Sequence, residues 1–205
     1  MRSSRPGWWT RLWRGEDPAN ARVLPVAVGL IAAQLAYRGW VSAHSYWEGD
    51  DFQLISQTFG PGGRSVDGLL TGISGHVMPA GLYLSWLLNR ISPLDYDLAA
   101  IALTLLQALA SLGFLRLLLV GFGRRWGIVP PLVVYLATAF TVQSAVWWAT
   151  GVQALPVQIA FFWAMSYQVS YLRSRRAVHA LAATAWVVVG LLFYCLLYTS
   201  DAADE

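Results

Sequence analysis

The chain has no lysine, one cysteine and little charge: of its 205 residues 12% are charged, where soluble domains carry about 25%. So little charge on so long a chain argues against a soluble single domain and excludes a charged disordered tail and a coiled coil with charged flanks. One cysteine excludes a disulfide framework. No zinc spacing is present, and the glycine-rich piece at 60–65 (GPGGRS) lacks the lysine and strand context of a phosphate loop. All 14 basic residues are arginine, as a GC-rich genome favours, and the net charge is +3. Those arginines sit between apolar runs, where cytoplasmic anchoring accounts for them and nucleic-acid binding does not.

What the chain has in quantity is apolar residues, 57% of the total, with 11 tryptophans and 18 glycines. Tryptophan collects at membrane interfaces and glycine is tolerated within spans, so the composition reads as a membrane protein. Four segments reach the roughly 20 apolar residues that a crossing needs: 23–41, 98–122, 128–150 and 152–172. A fifth, 177–197, reaches that length only by including the last residues of the chain. The expected fold class is therefore all-α, a polytopic transmembrane helix bundle. Residues 1–22 hold five arginines and three tryptophans against Glu16 and Asp17, and read as a basic cytoplasmic lead-in on the inner leaflet. They lack the apolar core and small-residue cleavage site of a signal peptide.

The last eleven residues, 195–205 (CLLYTSDAADE), resemble the translation of a transposon-based sequencing adapter. That resemblance implies that Cys195 is not native and that the natural sequence continues past Tyr194. Setting aside Asp201, Asp204 and Glu205 takes the acids from 11 to 8 and the net charge from +3 to +6.

Segment 77–92 (VMPAGLYLSWLLNRIS) has an apolar stretch too short to cross about 30 Å of hydrocarbon. If it does not cross, Arg124 and Arg125, then Arg173, Arg175 and Arg176, fall on the side of the basic start, and the acidic loop 42–97 and the turn at Gly151 fall outside. If it crosses, both arginine clusters move outside, against the positive-inside tendency. The segment is therefore read as a juxtamembrane or re-entrant helix, with Leu82, Trp86 and Ile91 toward lipid and Ser85, Asn89 and Arg90 toward water or protein. Arg116, two turns from an inner end, is read as snorkelling. Arg38, one turn before an outer end, either snorkels outward or binds an anionic group.

The outer loop holds His44, Glu48, Asp50, Asp51, Arg64, Asp67, His76, Arg90, Asp95 and Asp97. In Tyr46-Trp47-Glu48-Gly49-Asp50-Asp51-Phe52, Gly49 allows a turn and Asp50 or Asp51 can cap a helix over 52–59. On one reading the acids are a cap and solvated charge. On the other, adjacent carboxylates beside a low-dielectric membrane raise one pKa, which suits a general base or cation site, and Tyr46, Trp47 and Phe52 wall a cavity. His76, between Gly75 and the juxtamembrane helix, is either a structural histidine or part of the site. Gln34, Gln107, Gln143 and Gln158 within the spans read as interhelical hydrogen bonding or as the lining of a transport path. The prolines at 130, 131 and 156 lie near span ends, without the mid-span break that transporters show.

A basic start, one span, an acidic pair (Glu48-Gly49-Asp50-Asp51) and a His-x-x-Pro element (His76 to Pro79) before a short apolar helix together resemble the GT-C superfamily of integral-membrane glycosyltransferases. The stretches YWEGDDF, GHVMPAGLYLSWLL, VWWATGVQALPVQIA and YLRSRR resemble actinobacterial multi-span proteins with that layout, over 24–194. The resemblance implies a GT-C-like fold and transfer of a sugar from a polyprenyl-phosphate donor to a cell-envelope acceptor at the outer face. It makes Asp50 or Asp51 the base, Asp51 preferred, with magnesium, manganese or calcium a candidate at the pair. By their placement, Arg38, Glu48, Arg64, His76 and Arg90 are the expected substrate contacts. Family members carry more spans and often a soluble outer domain, so these 205 residues alone are expected to be inactive. The competing expectations are a non-catalytic relative and a transporter or flippase of a lipid-linked substrate.

Overall fold

The computed structural model describes residues 20–59, 68, 76–138 and 140–196. Eight α-helices are present among them: α1 (Val23–Ser42), α2 (Gly49–Phe59), α3 (Pro79–Ile91), α4 (Tyr96–Phe122), α5 (Val129–Ala137), α6 (Phe140–Val146), α7 (Trp148–Ser174) and α8 (Ala177–Phe193). A 3₁₀ turn (Trp126–Ile128) precedes α5. Two-residue strands, β1 (His76–Val77) and β2 (Cys195–Leu196), pair antiparallel with His76 opposite Leu196. The all-α class is as expected. Of the basic lead-in 1–22 only the last three residues are described, and of 195–205 only the first two.

α1 and α4 are long and apolar enough to cross a membrane, and they match the expected spans 23–41 and 98–122. Their 20 and 27 residues measure about 30 and 40 Å at 1.5 Å per residue. Asp95 caps α4, its carboxylate accepting from Leu98 N at 3.2 Å, and Gly123 ends it at φ 76°, a conformation that disfavours any side chain. α3, with Pro79 in its first turn and Arg90 in its last, is 13 residues or about 20 Å long, short of a crossing as expected.

The expected span 128–150 is not one helix. It breaks at Thr138, whose backbone is extended (φ −64°, ψ 133°), into α5 and α6. The expected turn at Gly151 is also displaced. The chain turns at Trp147 (φ −115°, ψ 110°), and α7 starts there, so Gly151 lies inside its first turns. The reason is steric. A Cβ at Gly151 would stand 2.3 Å from the Ser144 carbonyl oxygen and 2.4 Å from Leu103 Cδ2, and its absence lets α6 and α7 pack backbone to backbone.

The chain passes up and down the bundle between two ends. Asp51 bonds to Ala149 at one end, and Arg173 bonds to the carbonyls of Val120 and Gly121 at the other. Each end has its own core. At the first, Leu54, Leu82, Leu103, Trp148 and Val152 draw together α2, α3, α4 and α7. At the second, Val23, Ile31, Leu115, Leu118 and Leu132 join α1, α4 and α5.

Between the two cores lies a buried polar layer. Arg38 Nη1 donates to Gln107 Oε1 at 2.7 Å, and Nη2 donates to the carbonyls of Leu136 (3.2 Å) and Thr138 (3.4 Å). Gln107 donates to Ser111 Oγ (3.1 Å), Ser111 donates to Gln34 Oε1 (3.0 Å), and Gln34 returns to the Leu136 carbonyl (3.3 Å). A broken helix leaves carbonyls without intrahelical donors, and α1 supplies the donors. Gln34 and Gln107 thus make the expected interhelical bonds. Arg38 neither snorkels nor faces an outer anion; at 3% exposure it turns inward onto the break.

Candidate functional site

Asp50 and Asp51 both lie in the first turn of α2, which starts at Gly49, three residues earlier than expected. Asp51 is fully buried. Its Oδ2 accepts from Glu48 N at 3.0 Å, closing the start of its own helix, and its Oδ1 accepts from Ala149 N at 2.7 Å. Ala149 is the second residue of α7, so its N–H is one of the donors a helix start leaves without a partner. A carboxylate there meets both the hydrogen bond and the helix dipole. Burial pushes the Asp51 carboxyl above its ordinary value and the Glu48 carboxylate pushes the same way, against the pull of backbone N–H donors from Glu48, Ala149 and Trp148.

Asp50 is turned the other way. It is exposed, has no hydrogen-bond partner among the described residues, and stands at the mouth of a cavity of about 570 Å³. One face of α7 forms the long wall, with Thr150, Gln153, Val157 and Gln158 in turn. From Ala149 to Gln158 this wall runs nine residues, about 14 Å into the bundle. Met78, Trp147 and Tyr194 close the other sides. At depth, Gln158 Oε1 accepts from the Tyr135 hydroxyl at 2.9 Å. The result is a slot with a carboxylate at its entrance and amide groups along an otherwise apolar wall, a form common to sites for amphiphilic ligands.

The expected wall of Tyr46, Trp47 and Phe52 is not the one found. Tyr46 is 82% and Phe52 52% exposed. Trp47 packs edge-on against Tyr96 at 5.2 Å and donates to the Leu94 carbonyl at 3.2 Å. Leu94 is held at φ 56°, with Asn89 Oδ1 accepting its N–H at 3.1 Å. In α3, Ser85 accepts from Trp148 Nε1 at 3.0 Å, so Ser85 and Asn89 face protein as expected. Leu82 faces the core rather than lipid.

The structure does not bring the other expected contacts together. Glu48 and Arg90 are exposed and do not line the slot. Arg38 lines a separate cavity of about 240 Å³ with Gln34, Tyr37 and Val133, which shares no lining residue with the first. Arg64 lies outside the described residues, and of His76 only the backbone pairing in β1 is described. The acidic pair does not suit a divalent metal. Both Asp51 oxygens accept backbone N–H bonds, which leaves Asp50 alone, and among the described residues no group of three or more histidines, cysteines or acids gathers. Sequence reasoning missed Thr150, Gln153 and Tyr194. The first two carried a readable signal, since polar residues at 150, 153 and 158 recur on one face of an apolar helix. No family model, curated protein or solved structure matches the chain.

Proposed function

We propose that the chain is part of a membrane-embedded glycosyltransferase of the GT-C kind, with Asp50 as the general base at the mouth of the α7 slot. The observation that carries the reading is the division of labour in the acidic pair. Both Asp51 oxygens are committed to backbone N–H groups, and those of Asp50 face a cavity. On this reading the chain sits in the plasma membrane as a multi-pass protein with its N-terminus cytoplasmic and the Asp50 end outside. The donor is a polyprenyl-phosphate sugar whose phosphate lies at headgroup level and whose first isoprenoid units enter the slot.

Chemistry then needs one proton acceptor. An acceptor hydroxyl gives its proton to an Asp50 oxygen as its own oxygen bonds to the anomeric carbon, and the bond from that carbon to the phosphate oxygen breaks. The polyprenyl phosphate leaves with the electron pair. Arg90, exposed at that end and not lining the slot, is a described cation there that would offset its charge.

A second reading has its own support. Transporters carry interrupted helices, and the break between α5 and α6, held by Arg38, is one. Proteoliposomes of the full-length protein with a labelled polyprenyl-phosphate sugar separate the two. Appearance of a new glycosidic bond supports the transferase, and movement of intact donor between leaflets without bond formation supports the transporter.

A further inference from the structure

Among the described residues, the end of the bundle opposite Asp50 carries one sign of charge. Arg22 precedes α1, Arg124 and Arg125 follow α4, and Arg173, Arg175 and Arg176 surround the α7–α8 turn, whereas all five described acids, from Glu48 to Asp97, lie at the other end. Hydrogen bonds join these segments into one face. Arg124 Nη2 donates to the Ala21 carbonyl at 2.7 Å, which ties the start of α1 to the end of α4, and Arg173 ties α7 to Val120 and Gly121 of α4. Arg125, Arg175 and Arg176 remain exposed. Phe122 (57%), Trp126 (45%) and Val178 (62%) are exposed among them, so charge and apolar surface alternate over the same face.

Arg116 adds a second, deeper feature. It lies six residues before the end of α4, about 9 Å along the axis. Its guanidinium sits between the rings of Trp163 and Tyr167 of α7, at 4.7 and 4.6 Å from their centres. It has therefore not snorkelled to the end of the bundle. Two aromatic faces stabilise the cation but leave its N–H donors unsatisfied: among the described residues it has no hydrogen-bond acceptor, and its Nε is buried without one.

We propose that this face binds the headgroup of an anionic glycerophospholipid, with Arg125, Arg175 and Arg176 on the phosphate and Arg116 donating to the ester carbonyls deeper in the same lipid. The chemistry matches at both depths. Guanidinium groups pair with phosphate oxygens, a cluster of arginines beside a negative leaflet attracts such lipids, and the interleaved apolar side chains suit acyl chains and not a free ion. The proposal rests on the bundle lying in a bilayer and is independent of any transferase chemistry at Asp50.

The test is lipid retention by the purified chain after exchange from mixed vesicles of phosphatidylcholine and phosphatidylglycerol, read by native mass spectrometry. Phosphatidylglycerol is expected to be enriched on the order of tenfold, and Arg125→Gln/Arg175→Gln/Arg176→Gln to lose most of that enrichment. Arg116→Gln is expected to lose part of it. Equal retention of the two lipids, or full enrichment in the triple variant, overturns the proposal. If the variants do not fold, the wild-type chain still decides. Enrichment that follows headgroup charge and fades with added salt supports the site, and enrichment indifferent to both overturns it. Displacement of the lipid by millimolar inorganic phosphate also counts against it, since that identifies a free-anion site.

Discussion

Successive side chains on a helix point about 100° apart, so two adjacent aspartates at a helix start can face different surroundings. Asp51 turns into the protein and caps α7, and Asp50 turns to the slot. Asp51→Ala is therefore expected to destabilise the fold by about 1–3 kcal/mol through the lost cap and a buried N–H left without an acceptor. Asp50→Asn should stay within about 0.5 kcal/mol of the wild type. Unfolding in detergent measures both, and equal effects would remove the distinction. The two capping aspartates also respond to pH with opposite signs. Asp95, held below its ordinary value of 3.8 by the Leu98 N–H, contributes stability above that value and loses it as the pH falls through its folded pKa. Asp51, raised by burial above 3.8, favours the fold most below that value and less as the pH rises through the window above it. The stability gap between the wild type and Asp95→Asn should thus narrow as the pH is lowered below 3.8, which a pH series of melting temperatures reads directly. The sequence leads one to expect Asp50 or Asp51 to cap the helix over 52–59. Both instead lie inside that helix, and the helix start that Asp51 caps is that of α7, which no local pattern could show because its N–H lies 98 positions away, on Ala149.

At the scale of elements, the legible features were those set by length: α1 and α4 from their apolar runs and α3 from its short one. The break in the third traverse was not legible. Residues 137–139 read Ala-Thr-Ala, with no glycine or proline to mark it, and the donors that make it tolerable come from Arg38 and Gln34 on another helix. For the same reason the sequence does not show that Arg38 turns inward, since its acceptors are largely backbone carbonyls that no side-chain pattern reveals. In a bilayer, lipid tails are as apolar as leucine, so helices associate through close packing and such polar bonds. Among the described glycines, Gly151 makes the tightest such approach, against the Ser144 carbonyl. Gly151→Ala is expected to cost about 1–3 kcal/mol and to disturb the α6–α7 pair that holds Ala149 before Asp51. A Gly151→Ala chain as stable as the wild type would show that this approach is not tight.

Among the described residues, the molecule is an all-helical bundle with unlike ends: the acids and the α7 slot at one, most of the arginines at the other. Charge order along the chain made that polarity readable, because each traverse reverses direction and each arginine cluster falls at the same end. The slot was only partly readable. Its entrance residue, Asp50, is one of the two acids named from sequence but not the preferred one, Asp51, which is buried. Its walls come from α7, Met78 and Tyr194, which no single stretch of sequence brings together. On the proposed reading the chemistry lies at the acid end, with Asp50 as its base. The most direct test is sugar transfer from a polyprenyl-phosphate donor by membranes carrying full-length Asp50→Asn at wild-type abundance. Removal of a positioned general base is expected to lower the rate about 10²–10⁴-fold with stability unchanged. Transfer at the wild-type rate by Asp50→Asn would contradict the account.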